Sequence, residues 1–308
     1  MKKVFIDGSA GTTGLRIHER LAERTDIEII QLAEEKRKDP LFRKEVINEA
    51  DIAFLCLPDD AAREAVSFME NENTVVIDTS TAHRVNPDWA YGFPELSEKH
   101  LEKIRNSKRI AVPGCHASGF IALIYPLIEK GILSPDELLS CFSLTGYSGG
   151  GKKMIAEYES EERDVLLAAP RIYGLTQNHK HLKEMTAISG INNAPIFMPV
   201  VSSFYSGMAV SIPLFKASVN GSIDDIKKAY SEKYNWGLVS YKDSIDVNGF
   251  LSAGTYSFKD TMTVSVFGNE ERFTLEAVYD NLGKGASGAA IECLNVVMGN
   301  DFSYGLLE

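Results

Sequence analysis

Val4-Phe5-Ile6-Asp7-Gly8-Ser9-Ala10-Gly11-Thr12-Thr13-Gly14-Leu15-Arg16-Ile17-His18-Glu19-Arg20-Leu21 reads as a short strand, a glycine-rich turn and a helix with apolar residues at helical spacing. Glycines in such a turn let the backbone approach a pyrophosphate and let the helix pack on the strand, while the helix N-terminus holds the anion. The spacing is G-x-x-G-x-x-G rather than G-x-G-x-x-G, and alone it describes any tight turn. The strand before it and the helix after it decide for a dinucleotide site built from Gly8, Ser9, Ala10, Gly11, Thr12, Thr13 and Gly14.

Downstream of this unit, residues 27–32, 51–58 and 74–78 are short apolar runs bounded by turn signals, with a helical stretch over 60–69. Alternation of this kind builds a parallel, doubly wound sheet, so an α/β Rossmann-like domain is expected. Cys56 falls inside the third run and reads as core packing. The end of the second strand is where an adenine ribose is read: an acidic residue there favours NAD, a basic one a 2'-phosphate. Glu34 and Glu35 are followed by Lys36 and Arg37, and the basic pair points to NADP, with a solvated loop as the other reading. After the fourth strand, residues 78–84 carry several hydroxyls and end on Arg84, suited to a bidentate pair with a carboxylate or phosphate, or else a surface charge.

A further apolar strand, 109–112, runs into Val112-Pro113-Gly114-Cys115-His116-Ala117-Ser118-Gly119 and then into an apolar run, 120–131, that reads as a buried helix. Cys115 therefore stands where a strand becomes a helix. Unpaired N–H groups and the macrodipole at that end stabilise a thiolate, the nucleophilic form. A buried structural cysteine is the alternative.

Bulk properties bound the function. A chain of 308 residues has room for two domains, and 44% hydrophobic with 24% charged residues is the composition of a globular protein. A net charge of -11 argues against nucleic-acid binding through counterion release. The four cysteines are widely spaced, without C-x-x-C or zinc-ligand spacing, so no metal is expected and a reducing compartment is. Asp7 and the glycines after it interrupt any signal-peptide core, and no window nears the about 18 apolar residues of a membrane span, so a cytoplasmic location is expected.

From Ser140 on, the strands lengthen (140–145, 208–214, 261–267, 273–279), which predicts a mostly antiparallel sheet with helices on one face, an α+β domain. Residues 223–234 form a helix capped by Ser222, with Asp224 and Asp225 in the first turn. Cys141 and Cys293 are expected to be packed. Tyr147-Ser148-Gly149-Gly150-Gly151-Lys152-Lys153 is a glycine-rich turn suited to a small anion, without Walker spacing. His179 and His181 share a face if the backbone there is extended. Thiol chemistry needs an imidazole to take the thiol proton and to move a proton at the reacting oxygen. His116 also adjoins the cysteine, but neighbouring residues on a helix point about 100° apart, which ranks it below that pair. Finally, Asn281-Leu282-Gly283-Lys284-Gly285 opens a helix of small residues that allows close packing or close approach to a cofactor.

Taken together, residues 8–14, 78–84, 112–119, 147–152, 178–181 and 281–290 resemble the short form of the N-acetyl-gamma-glutamyl-phosphate reductases, over essentially the whole chain. The chain is also similar to the wider group that includes aspartate-semialdehyde dehydrogenase. The resemblance implies NADPH-dependent reduction of an acyl phosphate to an aldehyde in arginine biosynthesis, with Cys115 as nucleophile and His179 or His181 as acid/base. It places Ser148 and its loop in the acyl-phosphate pocket; Ser118, Arg84 and Arg171, the last next to Pro170 before the histidine segment, are further candidate substrate ligands. Glu184 matches the family's Glu three positions after His-x-His and is expected among the substrate-binding residues, as an orienting group; Lys183 stands where the longer form has Pro. By the same resemblance Asn281, Gly283 and Lys284 lie beside the nicotinamide, and residues 1–115 plus 285–308 form the NADP-binding domain. Residues 116–284 then form a catalytic and dimerisation domain of a homo-oligomer, dimer or tetramer, acting on a small molecule. Two alternatives remain at this level: aspartate-semialdehyde dehydrogenase, and a catalytically silent NADP-binding regulatory protein.

Overall fold

A computed structural model describes residues 1–308, which divide into two compact units. The first comprises Met1–Pro94, Lys99–Pro113 and Ala286–Leu306; the second comprises Glu95–Glu98, Gly114–Gly285 and Leu307–Glu308.

The first unit holds the strands β1 (Lys2–Asp7), β2 (Ile27–Ile30), β3 (Ile52–Leu55), β4 (Val75–Asp78), β5 (Ala90–Tyr91) and β6 (Arg109–Ala111). They form one wholly parallel sheet in the order β2-β1-β3-β4-β6-β5. Helices α1 (Thr12–Ala22), α2 (Pro40–Glu49), α3 (Asp59–Ser67) and α4 (Glu98–Asn106) alternate with them. Continuous apolar runs in β1, β3 and β4 follow from burial on both faces. Val4, Ile6, Phe54 and Ile77 pack on one side with Ile17 and Leu21 of α1 and with Ala290, Ile291 and Leu294. Phe5, Leu55 and Val76 pack on the other with Val46, Ile47 and Ala65. The winding reverses between β1 and β3, the crevice where such sheets take ligands, and the glycine turn leaves β1 there. The strands are shorter than the apolar runs imply: β3 ends at Leu55, so Cys56 lies just beyond it, half-buried against the core, with burial pushing its thiol up to about 12.

In the second unit, β7 (Ser140–Gly146), β8 (Arg171–Ile172), β9 (Ile196–Ser202), β10 (Met208–Phe215), β11 (Val239–Tyr241), β12 (Met262–Gly268) and β13 (Arg272–Tyr279) form a mixed sheet ordered β11-β12-β13-β10-β7-β9-β8. Most pairings are antiparallel, as the sequence implies, but β7–β9 and β11–β12 are parallel. Helices α5 (Cys115–Glu129), α6 (Gly151–Glu159), α7 (His181–Ser189) and α8 (Ile223–Lys233) belong to this unit, and α9 (Gly288–Met298) to the first. The α8 helix starts at the Ser222 cap read from the sequence, and the structure adds a capping box, Ser222 and Asp225 exchanging hydrogen bonds.

The α5 helix is buried along nearly its whole length. It contains Pro126, which has no N–H for the Ala122 carbonyl four residues back. The Tyr234 hydroxyl donates to that carbonyl at 2.6 Å, and the Tyr230 hydroxyl donates to Leu123 O at 2.6 Å. No helix of the protein is long and apolar enough to cross a membrane.

Candidate active site

Sterics in the first unit force the turn after β1 to be glycine. Gly8 has φ +86°, and a Cβ there would run into the Cys56 carbonyl; one on Gly14 would strike the Gly8 carbonyl. The turn closes through Gly11 N–H to Gly8 O at 2.9 Å, and α1 begins at Thr12 with no side chain capping its N-terminus. The Thr12 hydroxyl is buried without a hydrogen-bond partner. An uncapped helix start, three glycines in the turn and an orphaned hydroxyl together fit a phosphate group. Lys36 and Arg37 do not prolong β2, which stops at Ile30. They lie in and just after a short 3-10 turn, where Arg37 pairs with Glu34 and Lys36 sits 4.1 Å from the Phe42 ring centroid.

The loop after β4 sets Arg84 against backbone carbonyls. Buried Asp78 accepts from Ser80 N–H, from the Ser80 hydroxyl and from His83 Nδ1, and His83 stacks on Trp89. Arg84 is only 8% exposed; its Nε donates to Val112 O and one Nη to Thr79 O, both at 2.9 Å. It clamps backbone within this unit. The loop position alone could not reveal this, because the Val112 carbonyl it reaches lies on a different segment.

Cys115 opens the second unit's longest helix as its first residue, half-buried, with Gly114 as N-cap. The Gly114 N–H donates at 2.8 Å to Oε1 of Glu184, a buried residue of α7. Glu184, expected among the substrate ligands, thus holds the turn. Ser118 does the same: buried, it donates both its amide (2.9 Å) and its hydroxyl (3.1 Å) to Gly114 O.

Beside this helix start lie three imidazoles. His181 is the first residue of α7 and Lys180 is helical, so the extended backbone assumed for the pair is absent. A helix start brings the rings together instead, with centroids 4.8 Å apart and His181 N–H donating to His179 Nδ1 at 3.2 Å. His116, ranked low from the sequence, packs at 5.8 Å from His179 and 5.6 Å from His181. Its Nδ1 meets the Ser143 hydroxyl and its Nε2 the Tyr173 hydroxyl, both at 2.6 Å. Burial first, then the charge on His179, pushes His116 down to about 3; burial, then Lys180, lowers His179. Both are therefore neutral at neutral pH. Burial and then Cys115 push the Tyr173 hydroxyl up, which marks that tyrosine as a neighbour of the thiol. Nothing in the sequence spacing signals Tyr173.

The glycine-rich turn after β7 is a 3-10 turn, Tyr147–Gly150, leading into α6, so it does join a strand to a helix. Ser148 is buried and accepts from Asn281 Nδ2 at 3.0 Å, while Asn281 Oδ1 accepts from Gly207 N–H at 2.9 Å. The Arg171 guanidinium lies over Tyr158 and donates twice to its hydroxyl. A Cβ on Gly283 would overlap the Lys259 carbonyl, and one on Gly285 would stand 3.1 Å from Cys115 Cβ. Lys284, expected at the cofactor, is fully buried, and its Nζ takes both oxygens of buried Glu95 at 2.7 and 2.8 Å. Its ammonium is a structural partner within this unit.

Residues 3–104 match the family model described as semialdehyde dehydrogenase, NAD binding domain, and residues 115–281 the one described as semialdehyde dehydrogenase, dimerisation domain. An N-acetyl-gamma-glutamyl-phosphate reductase of Brucella suis is 43% identical over 96% of this chain and 99% of its own length; one of Sinorhizobium medicae is 42% identical over 96% and 98%. In fold, the chain is similar to aspartate semialdehyde dehydrogenase II of Vibrio cholerae complexed with ASA (TM-score 0.71, 16% identity, 97% of this chain and 98% of that one). It is also similar to the Candida albicans aspartate semialdehyde dehydrogenase with NADP (TM-score 0.66, 15% identity, 97% and 98%). With relatives of this identity across nearly its full length, the chain belongs to the semialdehyde dehydrogenase family and groups there with the N-acetyl-gamma-glutamyl-phosphate reductases.

Proposed function

We propose that this chain reduces N-acetyl-gamma-glutamyl phosphate to N-acetylglutamate semialdehyde and phosphate, in arginine biosynthesis, through a thioester on Cys115. The observation that carries the reading is the half-buried Cys115 thiol on the first residue of the 15-residue helix α5, next to His116, whose ring packs against those of His179 and His181. The helix N-terminus favours the thiolate, and His179 or His181 takes the thiol proton. His179, the half-buried one of the two, is the more open to a substrate. The thiolate adds to the acyl-phosphate carbonyl, and the adduct expels inorganic phosphate to leave a thioester. When bound, NADPH supplies the hydride that reduces this carbonyl. The imidazolium protonates the resulting oxyanion, and the neutral ring then removes the hydroxyl proton as the thiohemiacetal collapses to aldehyde and thiolate.

Residues 8–14, with the Thr12 hydroxyl, would hold the dinucleotide pyrophosphate, and Lys36 and Arg37 would read a 2'-phosphate. The backbone of Asn281 and Gly283 would border the nicotinamide. Ser148's loop and Arg171 remain the anion-binding candidates of the second unit. Phe142, Ile172, Ile196 and Phe215 are exposed on strands of its sheet, which supports a homo-oligomer, dimer or tetramer, formed through that face. A cytoplasmic location accords with this metabolic role.

Phosphate-dependent NADP reduction with N-acetylglutamate semialdehyde, run beside aspartate semialdehyde, tests the substrate, and preference for the aspartyl compound would refute it. Cys115→Ser should abolish turnover while NADPH still binds; retained turnover would refute covalent catalysis.

A further inference from the structure

Tyr279, the last residue of β13, is fully buried, and its hydroxyl reaches both ends of one rung in the first turn of α5. It donates to the Cys115 carbonyl at 2.5 Å and accepts from Gly119 N–H at 3.0 Å. Gly119 permits the approach, because a Cβ there would stand 2.7 Å from the hydroxyl oxygen. The chain following Tyr279 returns to the same cysteine: Gly285 lies against Cys115 Cβ. Between the two, Asp280 stiffens the segment. Its Oδ1 accepts from Leu282 and Gly283 N–H, and its Oδ2 from the Ser206 hydroxyl and Phe258 N–H. Residue 115 is thus gripped at its carbonyl and at its Cβ by one braced segment, 279–285.

The grip meets a physical need. Helix ends fray, and Cys115 is an N-terminal residue with glycine immediately before it and glycine one turn on, the residue type of greatest backbone freedom. Resting on the reading of Cys115 as nucleophile, we infer that Tyr279 is its positioning residue, fixing the first turn of α5 so that the thiol keeps both its attack position and its place at the helix N-terminus. Burial drives the Tyr279 hydroxyl well above its ordinary range, so it remains a donor at any working pH.

The same helix supplies the control. The Tyr230 hydroxyl, equally buried, donates to the Leu123 carbonyl, two turns from Cys115. Full-length Tyr279→Phe and Tyr230→Phe are compared for Tm, for kcat and KM, and for the pH dependence of Cys115 alkylation by iodoacetamide, read by peptide mapping. Both variants should lose similar Tm, since each loses one buried hydroxyl. Only Tyr279→Phe should lower kcat, by about 10- to 100-fold with little change in KM, the scale of a sub-ångström to ångström misplacement. Its alkylation profile should also move to higher pH by roughly half a unit, as helix-terminus stabilisation of the thiolate weakens. If Tyr279→Phe matches Tyr230→Phe in kcat and alkylation profile, the positioning role is overturned. Should it not fold, Gly119→Ala, which displaces the hydroxyl, must show the same loss of kcat, or the proposal fails. Wild-type turnover in Cys115→Ser would instead sink the nucleophile reading alone, leaving the alkylation comparison to judge the grip.

Discussion

Replacing Lys284 by methionine separates a cofactor contact from a structural ion pair. Both partners are removed from water, Lys284 2% and Glu95 0% exposed at the side chain, and the carboxylate also accepts Leu238 N–H at 2.9 Å. Methionine preserves the volume but strands a buried carboxylate, and breaking such a pair from one side costs about 3–5 kcal/mol. For a unit of this size, each kcal/mol is worth roughly 2–4 °C, so Tm should fall by roughly 6–20 °C. Adding Glu95→Gln removes the stranded charge and keeps an acceptor for Leu238, so the double variant should regain most of that loss. NADPH affinity, measured by isothermal titration well below the lowered Tm, should stay near wild type in both. A Lys284→Met protein with unchanged Tm and tenfold weaker NADPH binding would refute the argument and return the ammonium to the cofactor.

Acid should destabilise the second unit through His116. Its folded pKa near 3 lies below the ordinary 6.5, so between those values the unfolded chain holds a proton that the folded one does not. Stability is fully present above pH 6.5 and declines as pH falls, by about 2 kcal/mol between pH 7 and pH 5. Urea titrations of wild type and His116→Gln across that range should show a flatter slope in the variant; equal slopes would contradict the assignment. Arg84→Ala should cost about 2–4 kcal/mol, because two buried carbonyls lose a charged donor. An unchanged Tm with a large loss in kcat/KM would restore the ligand reading. Gly8→Ala should weaken NADPH binding and lower Tm together, since the left-handed φ and the Cys56 carbonyl both oppose a Cβ; a neutral effect on both would refute the cradle.

Much of this protein is written in local pattern. The strand, glycine turn and helix at residues 4–21, the capped helix α8 and the long strands after Ser140 are each legible, because period, capping and turn chemistry act within a few residues. Cys115 was readable for the same reason: a strand, Pro-Gly and an apolar helix name its position without any distant partner. The parallel β7–β9 pairing was not, because strand direction depends on the path of the intervening chain.

What the sequence by itself determined is therefore the two fold classes, the glycine turn between the first strand and helix, and the placement of a cysteine at a helix start. Only the tertiary structure decided what surrounds them. Arg84 was read as a ligand from its residue type and Glu184, Ser118, Asn281 and Lys284 from the family resemblance, and each has protein groups within reach of its polar atoms. Tyr173 and Tyr279, which no spacing singles out, were brought to the nucleophile's helix by packing. The reason is physical: a polar side chain buried in folding must find a hydrogen-bond partner, and that partner lies wherever the fold, rather than the neighbouring sequence, has put one.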